Sequence, residues 1–410
     1  METEIIKKSK SEPVPKTRFN EFNRNWSREK VGSICDFIVP GRNKPTNFIG
    51  EIPWITTPDI NHHGIISSSK NDLKISKEEA KKIGSKIVPR DSIVISCVGE
   101  LGLVAITGTN VVINQQLHAF LPSEKINSKF LLYALSVKQR YMNKVATKTA
   151  VPYMNKTNCN SIPIIFPELP EQQKIACFLS AMDKKIQQLT QKKGLLEAFK
   201  KGVMQQLFSQ EIRFKKEDGK EFPEWEEKKL GNICDVRDGT HESPKYFDEG
   251  YPLITSKNLM ADGSIDFANI NFISKVDFDN FNKRSLVERG DIIFGMIGTI
   301  GNPVLVKNDG FAIKNVALIK EKKVLKNPFL IHYLKSFLIL KQFHRQNTGG
   351  TQKFIALGTI RDLEISVPSE KEQQIIADFL STIDKKIEAV TQQLEKTQSF
   401  KKGLLQQMFV

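Results

Sequence analysis

Two stretches of this chain, 201 residues apart, are close copies of one another. Residues 171–208 open with EQQKIACFLSAMDKKIQQLTQ and close with FKKGVMQQLF. Residues 372–409 open with EQQIIADFLSTIDKKIEAVTQ and close with FKKGLLQQMF. The two align without a gap, and 21 of 38 positions are identical. A duplication of this length constrains the architecture before any residue is assigned to a helix or a strand.

The segments ahead of the copies are related more loosely. Arg18-Phe19 leads to Trp26 and KVGSICD (30–36); Arg213-Phe214 leads to Trp225 and KLGNICD (229–235). IPWIT (52–56) corresponds to YPLIT (251–255), RDSIVISCVGELG (90–102) to RGDIIFGMIGTIG (289–301), and INSKFLLYAL (126–135) to LKNPFLIHYL (325–334). The order is A–B–A′–B′: two near-identical B segments and two A segments that share landmarks but differ in most side chains. Two variable modules on a shared support imply two ligands, or two pieces of one ligand. Unequal surface drift after an old duplication is the alternative.

Both B segments carry helical periodicity. The first places Ile175, Leu179, Met182, Ile186, Leu189, Leu196, Phe199, Val203 and Leu207 on one seam, interrupted at Lys193. The second places Ile376, Leu380, Ile383, Ile387, Val390, Leu394, Phe400, Leu404 and Met408 there. Steps of four and three predict long helices that pair through this seam. Pro163, Pro167 and Pro170 mark the start of the first, and Pro368-Ser369 that of the second. At 1.5 Å per residue each is a rod of about 55–60 Å. The simplest partner for each seam is the other copy, paired antiparallel, which relates the A modules by a pseudo-twofold axis.

The A segments alternate short β-branched runs with turn residues (IPWITT, SKIVPRDSIVIS, LVAITGTNVVI, SIPIIF; PLITSK, DIIFGMIG, NPVLVK, FAIKNVALI, LEISVP), which predicts strands. Residues 130–147 and 329–346 read as amphipathic helices. The fold class is therefore α/β: two globular mixed modules joined by two long helices in an antiparallel coiled coil. The expected division is a flexible tail at 1–17, a module at 18–169, a helix at 170–210, a second module at 211–367 and a second helix at 368–410.

The formal charge is +15, from 61 Lys and Arg against 46 Asp and Glu. That field favours a polyanion, most simply nucleic acid. Candidate contacts lie in the stretches after the amphipathic helices: Lys148, Thr149 and Tyr153 in the first module, and Thr348, Gly349, Gly350, Thr351, Gln352 and Lys353 in the second. Hydroxyl, amide and ammonium donors beside an aromatic suit grooves and phosphates, although helix capping uses the same residue types. Thr299 joins them, in the Gly298–Gly301 turn that matches Gly99–Gly102. Such a turn lets backbone approach a phosphate, or simply closes a hairpin. The five scattered cysteines form no C-x-x-C pair, as expected of reduced thiols in a cytoplasm. No histidine spacing supports a metal site, and no apolar run reaches membrane-spanning length. The Lys-rich first 16 residues lack the apolar centre of a signal peptide.

The Trp225-EEKKLG stretch, RGDIIFGMIGTIG, T-G-G-T-Q, VPSEKEQQIIADFLSTIDKKI and the closing FKKGLLQQMF together resemble specificity subunits of type I restriction-modification systems. The resemblance spans nearly the whole chain. It implies that each A module is a target recognition domain for half of a bipartite, asymmetric site in double-stranded DNA. It implies that the B helices are spacers that dock two methyltransferase subunits, with two restriction subunits added to the assembly. No cofactor is expected in this chain; S-adenosylmethionine, ATP and Mg are expected in the partner subunits. The first module departs from the family pattern, with VGELG for IGTIG and T-K-T-A-V-P for T-G-G-T-Q.

Enzymatic readings find little footing. A DNA methyltransferase would need N-P-P-Y and a glycine-rich cofactor loop, and Val151-Pro152-Tyr153 lacks the amide. Pro58-Asp59 with Glu79-Ala80-Lys81 imitates a nuclease P-D…E-x-K set, but the second module has Lys257-Asn258 at the dipeptide. The subunit of a related type II system, and a coiled-coil scaffold without DNA, are the remaining alternatives.

Overall fold

A computed structural model describes residues 15–41, 43–297, 301–346 and 354–409. The chain forms two compact units. The first holds residues up to Gln191 together with Gln392–Val410, and the second holds Lys192–Thr391. Each unit therefore contains one A module, the front of its own long helix and the back of the other.

In the first unit a five-stranded sheet runs in the order 37–38, 117–120, 93–96, 104–107, 65–66, beside a three-stranded sheet of 74–75, 52–55 and 112–113. The second unit repeats the plan. A four-stranded sheet runs 235–238, 316–320, 292–295, 301–305, and a three-stranded one runs 271–273, 251–255, 312–314. In both, the central strand of the small sheet has one antiparallel and one parallel neighbour. A separate two-stranded ribbon, Ser27–Lys30 with Pro163–Phe166 or Glu226–Lys229 with Glu364–Val367, closes each module where its long helix begins.

The amphipathic helices are each broken in two: Ser128–Ser136 and Gln139–Val145, then Asn327–Leu334 and Phe337–Gln346. The first piece buries every residue from Phe130 to Leu135, whereas Gln139–Val145 buries only Met142. The chain turns at Val137-Lys138, between the buried piece and the one with a solvent-facing side.

The long helices span Leu169–Phe208 and Glu370–Met408. Their first turns explain the repeated Glu-Gln. Glu171, 2% exposed, takes two 2.7 Å bonds from Arg18. Glu372, fully buried, accepts from Arg213 and from Trp225 Nε1. Gln172 accepts from Asn127 N and donates to Pro167 O; Gln373 accepts from Lys326 N and donates to Pro368 O. The Arg-Phe and Trp landmarks are thus the sockets into which each helix root is keyed, and a buried carboxylate is tolerated because its charge is paired and bonded.

Within the first unit, Lys401 meets Asp183 while Met408 and Phe409 share a core with Ile175, Leu179 and Phe130. Within the second, Lys200 meets Asp384 while Leu207 and Phe208 share a core with Ile376, Leu380 and Phe329. In each unit the two helical segments therefore run antiparallel. Ile175, Leu179, Leu189, Ile376, Leu380, Ile383 and Val390 are buried, and Met182, Ile186, Leu196, Ile387 and Leu394 half-buried. The seam expectation fails at one pair of positions: Phe199 is 54% and Phe400 60% exposed. The four-three cadence continues instead through Lys200 and Lys401, whose alkyl stems fill the seam while their ammonium groups find aspartates.

Candidate nucleic-acid interface

In the first unit one face is assembled from three loops around the end of a central strand. In the first unit, Ile93–Ser96 is extended by Cys97 and Val98. Cys97 N donates to Gln116 O, Met154 N donates to Cys97 O, and Val98 pairs with Tyr153. The stretch after the helix is therefore held against one side of this extension and the Asn114–Gln116 turn against the other. Lys148, Thr149 and Tyr153 come together in one loop, closed by Thr147 N to Tyr153 O, and all three are exposed. The Thr149 hydroxyl donates to Val151 O, so it shapes the loop and offers only its lone pairs outward. Tyr153 presents a 42%-exposed ring.

The Gly99–Gly102 segment is a hairpin turn between strands 93–96 and 104–107, with both glycines at positive φ. Gly99 N donates to Pro152 O, so the turn buttresses the same loop. Thr299, Thr348, Gly349, Gly350, Thr351, Gln352 and Lys353 lie outside the described residues.

Several residues on this face escaped the sequence reading. A cleft of about 390 Å³ is lined by Asn43, Lys44, Phe48, Trp54, Thr56 and Asn114–Gln116. Gln116 Oε1 accepts from Thr57 Oγ1 and from Asn114 Nδ2, both at 3.2 Å, which turns the Gln116 amide nitrogen away as a donor. Gln115 is exposed at the tip of the turn.

The second unit builds the same frame with different groups. Ile355 N donates to Met296 O, Ile297 pairs with Phe354, and Phe354 is 50% exposed. Ser256 donates to Asn315 O and receives Met296 N. Where the first unit has Asn114–Gln116, the second has Lys314-Asn315 with His241 beside them. His241 bridges Asn315 Oδ1 and Asp238 Oδ2, both at 2.9 Å, Arg284 also reaches Asp238, and Lys314 binds Ser243. The bonds to Asn315 and Asp238 raise the His241 pKa above its ordinary 6.5. The signal in the sequence is a difference in loop length between repeats: Asn114-Gln115-Gln116 links strands 112–113 and 117–120, whereas in the other unit Lys314 ends its strand and Asn315 alone leads into 316–320.

The nuclease-like residues serve local structure. Burial opposes ionisation of Asp59, but bonds from Thr56, Lys70 and Ser69 outweigh it and hold the carboxyl below its ordinary range. Glu79 accepts from the backbone of Thr46 and Asn47. Cys35 and Cys234 are buried, and burial pushes both thiols up to about 12, away from nucleophilic use. No helix among the described residues is long and apolar enough to cross a membrane.

Comparison with known proteins bears on this geometry. The model of the type I restriction modification DNA specificity domain matches twice, over residues 23–198 and 223–398. The chain is similar to the type I restriction enzyme MjaIX specificity subunit of Methanocaldococcus jannaschii, at 25% identity over 94% of this chain and 92% of that one. It is similar to the MjaVIII specificity subunit of the same organism, at 25% identity over 93% and 91%. In fold it resembles the S subunit of a type I restriction-modification system from M. genitalium, with a TM-score of 0.65 at 17% identity, covering 97% of this chain and 99% of that one.

Proposed function

Because this chain belongs to the type I restriction modification DNA specificity domain family, which matches both of its repeats, we propose that it reads DNA sequence for a type I restriction-modification enzyme and does no chemistry itself. Each A module is a target recognition domain that reads one half of a bipartite, asymmetric site in the cytoplasm. The paired B helices set the number of unread base pairs. The observation that carries this reading is the contrast within one duplicated frame: beside the same strand end the first unit places the amides of Asn114–Gln116, and the second places Lys314, Asn315 and His241. Amides suit adenine edges, and Lys, Arg and protonated His suit guanine and phosphate.

Filter binding to duplexes, followed by methylation mapping with the partner subunits, tests the reading. Affinity should fall with salt at a slope of about −0.9 per phosphate neutralised, and methylation should concentrate at one two-part motif. A salt-independent affinity, or methylation without a motif, overturns it.

Two methyltransferase subunits dock on the long helices, and two restriction subunits join them; S-adenosylmethionine, ATP and Mg are used there. Support comes from Phe199 and Phe400, repeat-equivalent and both exposed within the otherwise shared F-K-K-G. An exposed aromatic kept in both copies fits a contact made twice. Phe199→Ala and Phe400→Ala should leave stability within about 0.5 kcal/mol. Each should remove one methyltransferase subunit from the complex, read by mass photometry. Full occupancy in both variants counts against this docking face.

A further inference from the structure

The lysines that enter the helix seam do more than fill it. Lys401 is 7% exposed. Its ammonium binds Asp183 Oδ1, donates to His63 Nδ1 at 2.9 Å, and stands 5.2 Å from the centre of the Tyr133 ring. Tyr133 donates its hydroxyl to Asp183 Oδ2 at 2.6 Å and contacts Ser180. Burial, His62 and Lys401 lower the His63 pKa to about 3, so the ring is a neutral acceptor for the ammonium. His63 holds a positive φ of 61°, in a loop whose amide bonds Val104 O of the five-stranded sheet. One cation therefore joins four elements: both long helices, the buried helix of the recognition module, and a loop off its main sheet.

The second unit has the counterpart at the same repeat positions. Lys200 meets Asp384 at 2.5 Å, His332 replaces Tyr133, and Ser381 replaces Ser180. The closure is looser there. His332 Nδ1 lies 3.8 Å from Asp384, beyond hydrogen-bonding distance, and Asp384 is 46% exposed against 29% for Asp183. A polar group at a seam position tolerates few alternative registers, because any slip leaves a buried charge without its partner.

We propose that Lys401 is a positioning residue: through Asp183, Tyr133 and His63 it locks the first recognition module in one orientation on the helix pair, and so fixes the length of the unread gap on that side. This rests on the reading of the chain as a two-part DNA reader.

The test uses the full chain with its methyltransferase subunits and duplexes carrying both half-sites at the native gap, one base pair shorter and one longer. Lys401→Met/Asp183→Asn removes the charge pair without leaving either group orphaned. It should keep both half-site sequences yet cut discrimination among gaps at least tenfold. Tyr133→Phe, which keeps the packing and removes one bond, should cut it about threefold. Lys200→Met/Asp384→Asn should have the smaller effect of the two double variants. Unchanged gap preference in Tyr133→Phe and the folded double variant overturns the proposal, as does an equal loss of methylation at every gap. Wild-type protein indifferent to gap length would instead overturn the two-part reading beneath it.

Discussion

The two units share a frame and differ in what they expose. Both key a long helix into an Arg-Phe…Trp socket, both pair a post-helix aromatic with the end of a central strand, and both place a lysine in the seam. Around the strand end, however, the first unit offers a cleft floored by Phe48 and Trp54, with amides pinned by one another and by Thr57, while the second offers His241, Arg284 and Lys314 around Asp238 and Asn315. Architecture can be held constant while recognition chemistry is exchanged, because the frame is fixed by bonds to buried carboxylates and amides at the helix roots.

The comparison breaks first at the sockets. Glu171→Ala or Glu372→Ala removes the buried carboxylate that Arg18 or Arg213 binds, which should cost about 1.5–3 kcal/mol; denaturant unfolding measures it. The loss at Glu372 should be shared with Trp225, whose indole also donates there, whereas Trp26 Nε1 has no protein acceptor. Trp225→Phe should therefore lose about 1 kcal/mol that Trp26→Phe does not. If only one socket mattered, the units would not share a frame after all.

The reading faces should separate next. Gln116→Ala should relax sequence preference in one half-site and Lys314→Ala in the other, each by about 1–3 kcal/mol, or roughly five- to 150-fold. Mapping the methylated motif decides whether the effects are confined to separate halves. The smallest effect concerns pH. With its pKa raised, His241 is protonated below and around its ordinary 6.5 and loses its charge as pH climbs through the higher value. Affinity for the second half-site should weaken a few-fold as pH rises through that window, and His241→Gln should abolish the dependence. The first unit should show none of it, since burial lowers His63 to about 3 and His118 to about 4.

Much of the frame was legible because duplication doubles every signal. Arg18 and Glu171 lie 153 residues apart, yet each recurs with its partner, so the landmarks stood out before their contact was known. The seam was legible only in part. Phe199 and Phe400 fit an apolar rule, but a lysine with a four-carbon stem satisfies a seam as well when an aspartate waits at its end. That aspartate stands 218 residues from Lys401, and no local pattern announces it. The reading faces were least legible. Tyr153, Lys148 and Thr149 were singled out because they follow a helix, but Gln116 and His241 sit in turns whose partners come from other loops.

Synthesis on the ribosome gives the sharing of helices a temporal meaning. The earlier-made unit contains Gln392–Val410 in its body, with Met408 and Phe409 in its core. It must therefore wait, its apolar floor uncovered, while some two hundred further residues are translated. The later-made unit finds its borrowed segment, Lys192–Phe208, already emerged. Domains generally fold in order of emergence; here the second unit is complete in sequence before the first.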